Sequence, residues 1–271
     1  MKSDLYLLFA LLLGLALIIS AIGFYRFIYF ISVGYGFSIT GMAIFVLIYG
    51  WKNVSLPILL QASLLIIYGL RLGIFLLQRE FKQTYRKEMD ATQRETAPIS
   101  IAGKIGVWIS VSVLYVLMIS PLAFHTYAVV KNELFSYIGV AIMLIGIGIE
   151  GLADIQKSAF KAHSPASFCN SGLFRWSRCP NYFGEITFWF GNFIVGLLIY
   201  RGVLSWMISL AGLIGIVFIM LVSTVRLELK QEKRYGDDVS FQEYSSTVPL
   251  LVPFIPVYSL KKFSPLTKLR I

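Results

Sequence analysis

The segment LYLLFALLLGLALIISAI (residues 5–22) contains no charged side chain and is long enough to form a membrane-spanning helix. A helix needs about 20 predominantly apolar residues to cross the hydrocarbon core of a bilayer. The apolar core of this segment is longer than that of a secretory signal peptide, and a small-x-small cleavage site is missing. We therefore interpret the segment as the first transmembrane span.

Similar apolar stretches recur along the whole chain of 271 residues. Hydrophobic residues make up 57% of the sequence and charged residues only 14%, whereas soluble domains are about 25% charged. The apolar runs are continuous and do not alternate, which argues against a β-barrel. Seven stretches qualify as spans, at approximately 5–24, 28–50, 54–78, 105–129, 134–153, 182–200 and 203–225. The sequence predicts an all-α, polytopic membrane helix bundle that forms a single integral membrane domain, residues 1–271.

Lys and Arg are unequally divided between the predicted loops. Nineteen of the 24 basic residues fall on one face, from Arg26, loop 79–104, segment 154–181 and the tail beyond residue 225, and four fall on the other. Because basic loops stay cytoplasmic, we expect a cytoplasmic C-terminus in a bacterial inner membrane or the endoplasmic reticulum. The net charge of +10 then attracts anionic lipid head groups or a polyanionic cytosolic ligand. We expect no nucleic-acid partner, because no nucleic-acid-binding module is present.

The predicted organisation is three N-terminal spans (1–78), a basic and helical cytoplasmic loop (79–104), and four further spans with a tail (105–271). The last span should continue as a charged helix to about residue 234 and end at Gly236. A short amphipathic helix is predicted around residues 240–244. The following VPLLVPFIP (248–256) is apolar but rich in proline, so it should lie along the membrane surface.

Two sequence patterns that can indicate a ligand site, one of glycines and one of cysteines, are interpreted here as structural. Residues 146–151 fit G-x-G-x-x-G, but they lie inside an apolar span with no preceding strand, so the glycines are expected to permit close helix packing. Gly69-x-x-x-Gly73 has the same interpretation. Cys169 and Cys179 are expected to be reduced free thiols on the cytoplasmic side, and they do not form a convincing zinc site.

Ionisable residues within or beside the spans are candidates for function, because a charge inside a membrane is unfavourable without a partner. Arg71 lies within the third predicted span. Glu150 and Asp154 are four residues apart and therefore share a helix face, which Lys157 and Lys161 extend. These residues favour a polar pocket open to the cytoplasm, and the alternative is a set of salt bridges between helices.

The stretch WSRCPNYFGE (176–185) precedes the sixth predicted span. Pro180 suits the first turn of a helix, from which Asn181 and Glu185 would point in one direction. Arg175 and Arg178 would lie just outside the helix, where a planar guanidinium can bind phosphate with two hydrogen bonds. Together with the Tyr182 ring, these groups would suit a nucleotide with several phosphates. The alternative is helix capping with contacts to lipid head groups.

Several motifs resemble the steroid 5-alpha-reductase C-terminal-domain family, and most closely its largely uncharacterised branch with an SRHPNYFGE-type motif. The resemblance covers about residues 60–260. The motifs that carry it are YGLRLGIFLLQRE (68–80), ADIQKSAFK (153–161), GLFRWSRCPNYFGE (172–185) and FQEYSSTVPLLVPFIP (241–256). The resemblance implies a membrane reductase that binds NADPH from the cytoplasmic side. It also implies reduction of a carbon–carbon double bond that is conjugated to a carbonyl group, in a steroid-like or other lipid drawn from the bilayer.

The resemblance also implies roles for individual residues. By motif position, the cofactor-pocket residues are Asp154, Arg178, Asn181, Tyr182, Glu185 and Tyr244. We expect the adenosine phosphates of NADPH near Arg175, Arg178, Lys161, Arg226 and Lys230. Tyr68 matches the tyrosine that polarises the substrate carbonyl, and Arg71 would keep its phenol acidic. The family's early-span glutamate has no counterpart in the first two predicted spans, and Cys179 replaces the branch's histidine.

Two alternatives remain open from the sequence. One is an S-adenosylmethionine-dependent methyltransferase of the isoprenylcysteine carboxyl methyltransferase type, in which Glu228, Glu232 and Arg234 would serve the tail motif. The other is a non-catalytic lipid-binding membrane protein, consistent with the replaced histidine and the missing glutamate.

Overall fold

The computed structural model describes residues 2–80, 99–128 and 132–261. Over these ranges the secondary structure is helical, as predicted, with eight α-helices and four short 3-10 helices. The α-helices are α1 (Lys2–Ser20), α2 (Val33–Tyr49), α3 (Leu56–Glu80), α4 (Ile101–His125), α5 (Leu134–His163), α6 (Pro180–Val195), α7 (Val203–Tyr235) and α8 (Val239–Thr247). Most of the predicted basic loop, 79–104, lies outside the described residues.

Six helical segments of the described chain are long and apolar enough to cross a membrane. They are Asp4–Phe24, Phe27–Tyr49, Leu56–Arg79, Ile101–His125, Leu134–His163 and Val203–Tyr235. The chain is therefore a polytopic, integral membrane protein.

The stretch predicted as a span at 182–200 is not among these six. Helix α6 has 16 residues and ends at Val195, which gives a length of about 24 Å at 1.5 Å per residue. The hydrocarbon core is about 30 Å thick. The backbone turns at Gly196, whose carbonyl accepts hydrogen bonds from the Ile199 and Tyr200 amides. The sequence is continuously apolar through this turn, so composition alone does not reveal the helix end.

The chain divides into two compact units. Unit 1 comprises Met1–Val140 and Asn192–Leu213, and unit 2 comprises Ala141–Gly191 and Ile214–Ile271. Unit 1 therefore holds α1 to α4, and unit 2 holds most of α5 and α6, the second part of α7, and α8.

In unit 1, α2 and α3 approach each other closely through glycines. A Cβ atom added to Gly69 would lie 2.4 Å from the Gly36 carbonyl oxygen, and one added to Gly36 would lie 2.7 Å from the Gly73 amide nitrogen. No larger side chain fits at Gly69 or Gly36 without a backbone shift, and Gly73 supplies the backbone that Gly36 approaches. The prediction that Gly69 and Gly73 serve helix packing is confirmed.

A chain of buried polar side chains also holds unit 1 together. The Gln61 amide nitrogen donates to the Asn192 side-chain oxygen at 2.9 Å, and the Gln61 oxygen lies 3.0 Å from His125 Nδ1. The Asn192 amide in turn donates to the Met118 carbonyl at 2.9 Å. These hydrogen bonds satisfy groups that would be unfavourable in an apolar interior if left unpaired.

Unit 2 confirms the packing interpretation of the G-x-G-x-x-G pattern at its first glycine. A Cβ atom added to Gly146 in α5 would lie 2.4 Å from the Phe188 amide nitrogen in α6. A Cβ atom added to Gly184 would lie 2.6 Å from the Glu150 amide nitrogen. The tail begins as predicted, because α7 ends at Tyr235 just before Gly236 and the Asp238 side chain caps α8.

The two neighbouring glycines of this pattern are expected to respond oppositely to alanine. Gly146→Ala should lower the free energy of unfolding by about 1–3 kcal/mol, because the added methyl group overpacks the contact with α6. No atom lies within 4 Å of a Cβ added to Gly148, so Gly148→Ala should raise stability by about 0.5–1 kcal/mol through a better helix propensity. Thermal unfolding of the two purified variants in one detergent compares them, and equal shifts would contradict the assignment.

Candidate functional site

The motif segment, residues 172–185, enters α6 through a short 3-10 helix, Gly172–Arg175. Gly172 has a φ of 59°, in the left-handed region that favours glycine. The Gln156 side chain of α5 accepts a hydrogen bond from the Leu173 amide at 2.8 Å, which fixes the segment to that helix. Pro180 is the first residue of α6, as predicted for a residue without an N–H group.

Arg178 binds both ends of the tail loop, which we define as residues 249–258. Its backbone N–H donates to the Pro249 carbonyl at 2.9 Å, and its guanidinium donates to the Tyr258 carbonyl. The residue is only 3% exposed. The sequence predicted an arginine in an open loop, free to bind phosphate, so the prediction that Arg178 is free is wrong. The Tyr258 carbonyl of the tail gives the buried guanidinium a hydrogen-bond acceptor, which apolar packing would not provide.

A buried carboxylate faces the same guanidinium. Glu228 Oε1 of α7 lies 3.9 Å from Arg178 Nη2, and Glu228 Oε2 accepts from the Leu260 amide at 3.1 Å. Glu228 is 4% exposed, so this ion pair lies in the interior of unit 2. A buried charge needs such a partner, since desolvation strongly disfavours an isolated ion.

One further hydrogen bond and a set of apolar contacts join the motif segment to the tail loop. The Ser177 hydroxyl donates to the Leu251 carbonyl at 2.7 Å. Leu250 and Leu251 pack against Cys179 in one buried cluster. The tail loop is therefore an integral part of the site and not a loose extension.

Cys179 occupies the position where the resembling branch has a histidine, and it is completely buried. Burial raises the pKa of its thiol to about 12, while the charges of Lys157 and Arg178 act in the opposite direction. A neutral thiol at physiological pH is a poor nucleophile and cannot replace the charge of an imidazolium. The local role of Cys179 is therefore packing beneath the tail loop.

Raising the pH should destabilise the protein through Cys179. The thiol ionises near its ordinary pKa of 9.0 in the unfolded chain but only near 12 in the folded chain. The contribution of the protonated thiol to the free energy of unfolding is therefore fully present below pH 9. It is lost as the pH rises towards 12, by at most about 1.4 kcal/mol per pH unit. Cys179→Ala should flatten the fall in unfolding temperature between pH 9 and 11. Parallel curves for the variant and the wild type would contradict the burial of a protonated thiol.

Lys161, predicted at the cofactor phosphates, contacts the loop that follows α5. Its ammonium donates to the Ser167 carbonyl at 2.5 Å and to the Tyr235 hydroxyl at 2.7 Å. The Arg234 guanidinium donates to the Pro165 carbonyl of the same loop at 3.1 Å. Lys161 thus fastens its loop to the end of α7.

Tyr244, the predicted tail tyrosine, joins α8 to the motif segment. Its hydroxyl donates to the Phe174 carbonyl at 2.7 Å, and its ring stacks on Phe168 at 5.2 Å. Burial raises the pKa of Tyr244, so the phenol remains a hydrogen-bond donor at all physiological pH values.

The other predicted cofactor residues differ in exposure. Asp154, Asn181 and Tyr182 are partly buried, Glu185 is buried, and Arg175, Arg226 and Lys230 are exposed. Lys157 lies within electrostatic range of Asp154 and Cys179, and also of Lys161, whose like charge repels it. Arg178 and Tyr244 lie within the same range of Cys179. We call Lys157, Lys161 and Arg178 the basic cluster.

Two buried polar atoms of the motif segment have no hydrogen-bond partner among the described residues. They are Arg178 Nε, a donor, and Asn181 Oδ1, an acceptor. Buried polar atoms are nearly always paired in proteins. A phosphate or carbonyl oxygen could accept from Arg178 Nε, and an amide or hydroxyl hydrogen could be donated to Asn181 Oδ1. NADPH carries both kinds of group, so the chemistry of these two atoms is compatible with the cofactor that the motifs imply.

The predicted catalytic pair lies in unit 1. Tyr68 is fully buried, and its hydroxyl oxygen lies 2.9 Å from that of Tyr35 in α2. Arg71 is one turn further along α3 and partly buried. The contact with Tyr35 is absent from the sequence prediction, since nothing in a single sequence marks one tyrosine of α2 as the neighbour of one in α3.

From sequence alone, Ser177 had no predicted role, and Glu228 was predicted to act only in the methyltransferase alternative. The available signal for Glu228 was its position as the first acidic residue after the apolar run of α7. Its partner Arg178 is 50 residues away in the chain, so local spacing could not identify the pair.

Comparisons with curated proteins and with solved structures found no match for this chain. A comparison with protein families found one match, which covers residues 17–248 and is described as "Protein of unknown function (DUF1295)". The matched region includes α2 to α8 and the whole motif segment. The chain is therefore a polytopic membrane protein that belongs to the DUF1295 family.

Proposed function

We propose that this protein is an NADPH-dependent membrane reductase that reduces a conjugated carbon–carbon double bond in a steroid-like or other lipid. The observation that carries the proposal is the pair of unpartnered buried atoms, Arg178 Nε and Asn181 Oδ1, in the motif segment. The same segment carries the resemblance to steroid 5-alpha-reductases. Polar atoms of opposite hydrogen-bonding type in an apolar interior suggest a bound ligand with several polar groups.

The charges of unit 2 support an anionic cofactor. Arg175 and Arg226 are exposed and can attract phosphate groups to the basic cluster. Lys157 and Lys161 add positive charge in partly buried surroundings, where electrostatic attraction is stronger than in water. The charge of Arg178 is paired with Glu228, so Arg178 would contribute hydrogen-bond donors. The 2′-phosphate of NADPH would favour it over NADH at such a site.

Each group in the proposed reaction has one task. NADPH, when bound, would supply a hydride to the carbon beta to the carbonyl and would thereby become NADP⁺. Negative charge then develops on the carbonyl oxygen, and we assign its stabilisation to the Tyr68 hydroxyl. Tyr35 orients that hydroxyl through the 2.9 Å contact. A proton from water, added at the alpha carbon, would complete the two-electron reduction.

The reaction predicts a specific product. Membranes that contain the protein should consume NADPH when supplied with a lipid extract, and one lipid class should gain two hydrogen atoms. Comparative lipid mass spectrometry with and without NADPH measures this change. Incubation with NADPH that is deuterated at C4 of its nicotinamide ring should place one deuterium in the same product. A folded protein that transfers no deuterium to any lipid of its native membrane would contradict the proposal.

Ligand-dependent stabilisation separates the proposal from its two alternatives. A ligand at 100 times its dissociation constant should raise the free energy of unfolding by about 2.7 kcal/mol. Stabilisation by NADPH supports the reductase, stabilisation by S-adenosylmethionine supports a methyltransferase, and stabilisation by neither supports a lipid-binding protein. The structure places the acids of the methyltransferase alternative in tail contacts, since Glu228 binds the Leu260 amide and Glu232 binds Lys261.

A further inference from the structure

The tip of the tail loop has an unusual backbone. The Ile255 amide donates to the Val252 carbonyl at 3.3 Å, which defines a β-turn with Pro253 in its second position. Phe254, in the third position, has a φ of 67°. A turn that needs positive φ at this position normally uses glycine or asparagine. A bulky residue there is strained, and such strain persists mainly where a functional constraint maintains it.

The strained turn exposes apolar side chains instead of burying them. Phe254 is 80% exposed and Ile255 is 50% exposed. The Phe254 ring contacts the Trp176 ring of the motif segment at 5.5 Å between centroids, and Trp176 is itself 56% exposed. We call Trp176, Phe254 and Ile255 the aromatic tip.

The base of the loop is firmly held. The Leu250 amide donates to the Val257 carbonyl at 2.8 Å, and Arg178 binds the carbonyls of Pro249 and Tyr258 on either side. Leu250 and Leu251 point inward and are buried. Apolar residues of one short segment therefore divide between the interior and an outward-facing tip, so the exposure of the tip does not result from a loose chain.

Helix α7 indicates the depth of the loop in the membrane. Its apolar run ends at Val225, and charged residues begin at Arg226. The residue that follows the loop by two positions, Leu260, binds Glu228 one turn beyond Val225. The loop therefore leaves the protein at the level where a membrane-spanning helix passes from hydrocarbon to head groups.

We propose that the aromatic tip inserts into the interfacial region of the surrounding bilayer and that the neighbouring Arg175 binds anionic lipid head groups there. Tryptophan and other aromatic residues favour this region of a membrane. The sequence that follows the tail loop, KKFSPLTKLRI (261–271), contains four basic residues and no acidic residue. Exposed Arg175 precedes Trp176. Basic residues beside an apolar anchor attract anionic lipids.

A spin label on Ile255→Cys in lipid nanodiscs tests the proposal. The native thiols of Cys169 and Cys179 are buried, so the introduced thiol should react selectively. Power saturation compares the access of lipid-soluble oxygen with that of a water-soluble nickel chelate. The ratio of oxygen to chelate access should be several-fold higher at position 255 than in a matched Asp237→Cys variant, which labels the exposed turn between α7 and α8. It should rise further when phosphatidylglycerol replaces phosphatidylcholine.

Two outcomes would overturn the inference. The first is a ratio at position 255 no higher than at position 237 in both kinds of nanodisc, which would leave the tip in water and available to a protein partner. The second is an unchanged ratio at position 255 after Trp176→Ser and Phe254→Ser are added to the Ile255→Cys variant. These exposed residues should be replaceable without loss of folding, and an unchanged unfolding temperature in detergent verifies this. The test needs no nucleotide, so its result is independent of the proposed reductase activity.

Discussion

Replacing Arg178 with alanine is expected to lower the free energy of unfolding by about 3–5 kcal/mol, because it removes the partner of a buried carboxylate. Glu228 is 4% exposed and would keep only its hydrogen bond to the Leu260 amide. The Tyr258 carbonyl would lose its donor as well, whereas the Pro249 carbonyl would keep the backbone N–H of residue 178. Thermal unfolding in detergent measures the loss, and the tail should also become sensitive to proteolysis.

The motif segment provides the matched control. Arg175→Ala removes the same side chain three residues earlier, from an exposed position, and should change stability by no more than about 0.5 kcal/mol. Adding Glu228→Gln to Arg178→Ala should recover part of the loss, because no uncompensated buried charge remains. Equal losses for the two arginine variants, or no recovery in the double variant, would show that Arg178 does not fasten the tail.

Removing the Tyr68 hydroxyl is expected to have the largest effect on turnover. Tyr68→Phe should lower NADPH-dependent reduction of the native lipid by about 10²–10³-fold, since a donor aimed at a developing oxyanion contributes that much. The affinity for NADPH should be unchanged, because the Tyr68 hydroxyl is assigned to the substrate carbonyl and not to the cofactor. Turnover of membrane lipid extract, with NADPH binding measured separately, distinguishes the two effects.

Tyr115→Phe is the control for lost packing. Tyr115 belongs to the same aromatic group, with its ring stacked on Tyr35 at 5.3 Å, and its hydroxyl donates to the Phe30 carbonyl. It has no part in the proposed reaction, so its removal should affect stability more than turnover. Comparable turnover in the Tyr68 and Tyr115 variants would remove Tyr68 from its assigned role.

Structural features that local sequence determines were predictable. Pro180 at the start of α6, Gly236 after the end of α7 and the short helix around residues 240–244 follow from the conformational preferences of single residues. The close approach at Gly69 and Gly146 follows from the rule that small residues let membrane helices pack. These elements were found because each depends on only a few neighbouring positions.

Long-range partners were not predictable from one sequence. Arg178 was recognised as important, but its binding to Pro249 and Tyr258 joins residues more than 70 positions apart. The Tyr35–Tyr68 contact joins two helices whose register only packing determines. The end of α6 depends on the turn at Gly196, which hydropathy does not detect. In each case tertiary structure selects one partner from several that the sequence allows.

Calorimetric titration of NADPH into the purified protein in nanodiscs tests the proposed cofactor site most directly. Titrations at two temperatures detect binding even where the enthalpy is near zero at one of them. We predict saturable binding at one site per chain, and about tenfold weaker binding to Asn181→Ala, because the unpartnered Oδ1 atom should bind the ligand. The exposed control Asn170→Ala should bind as the wild type does. Folded wild-type protein that binds no NADPH at either temperature would contradict the account.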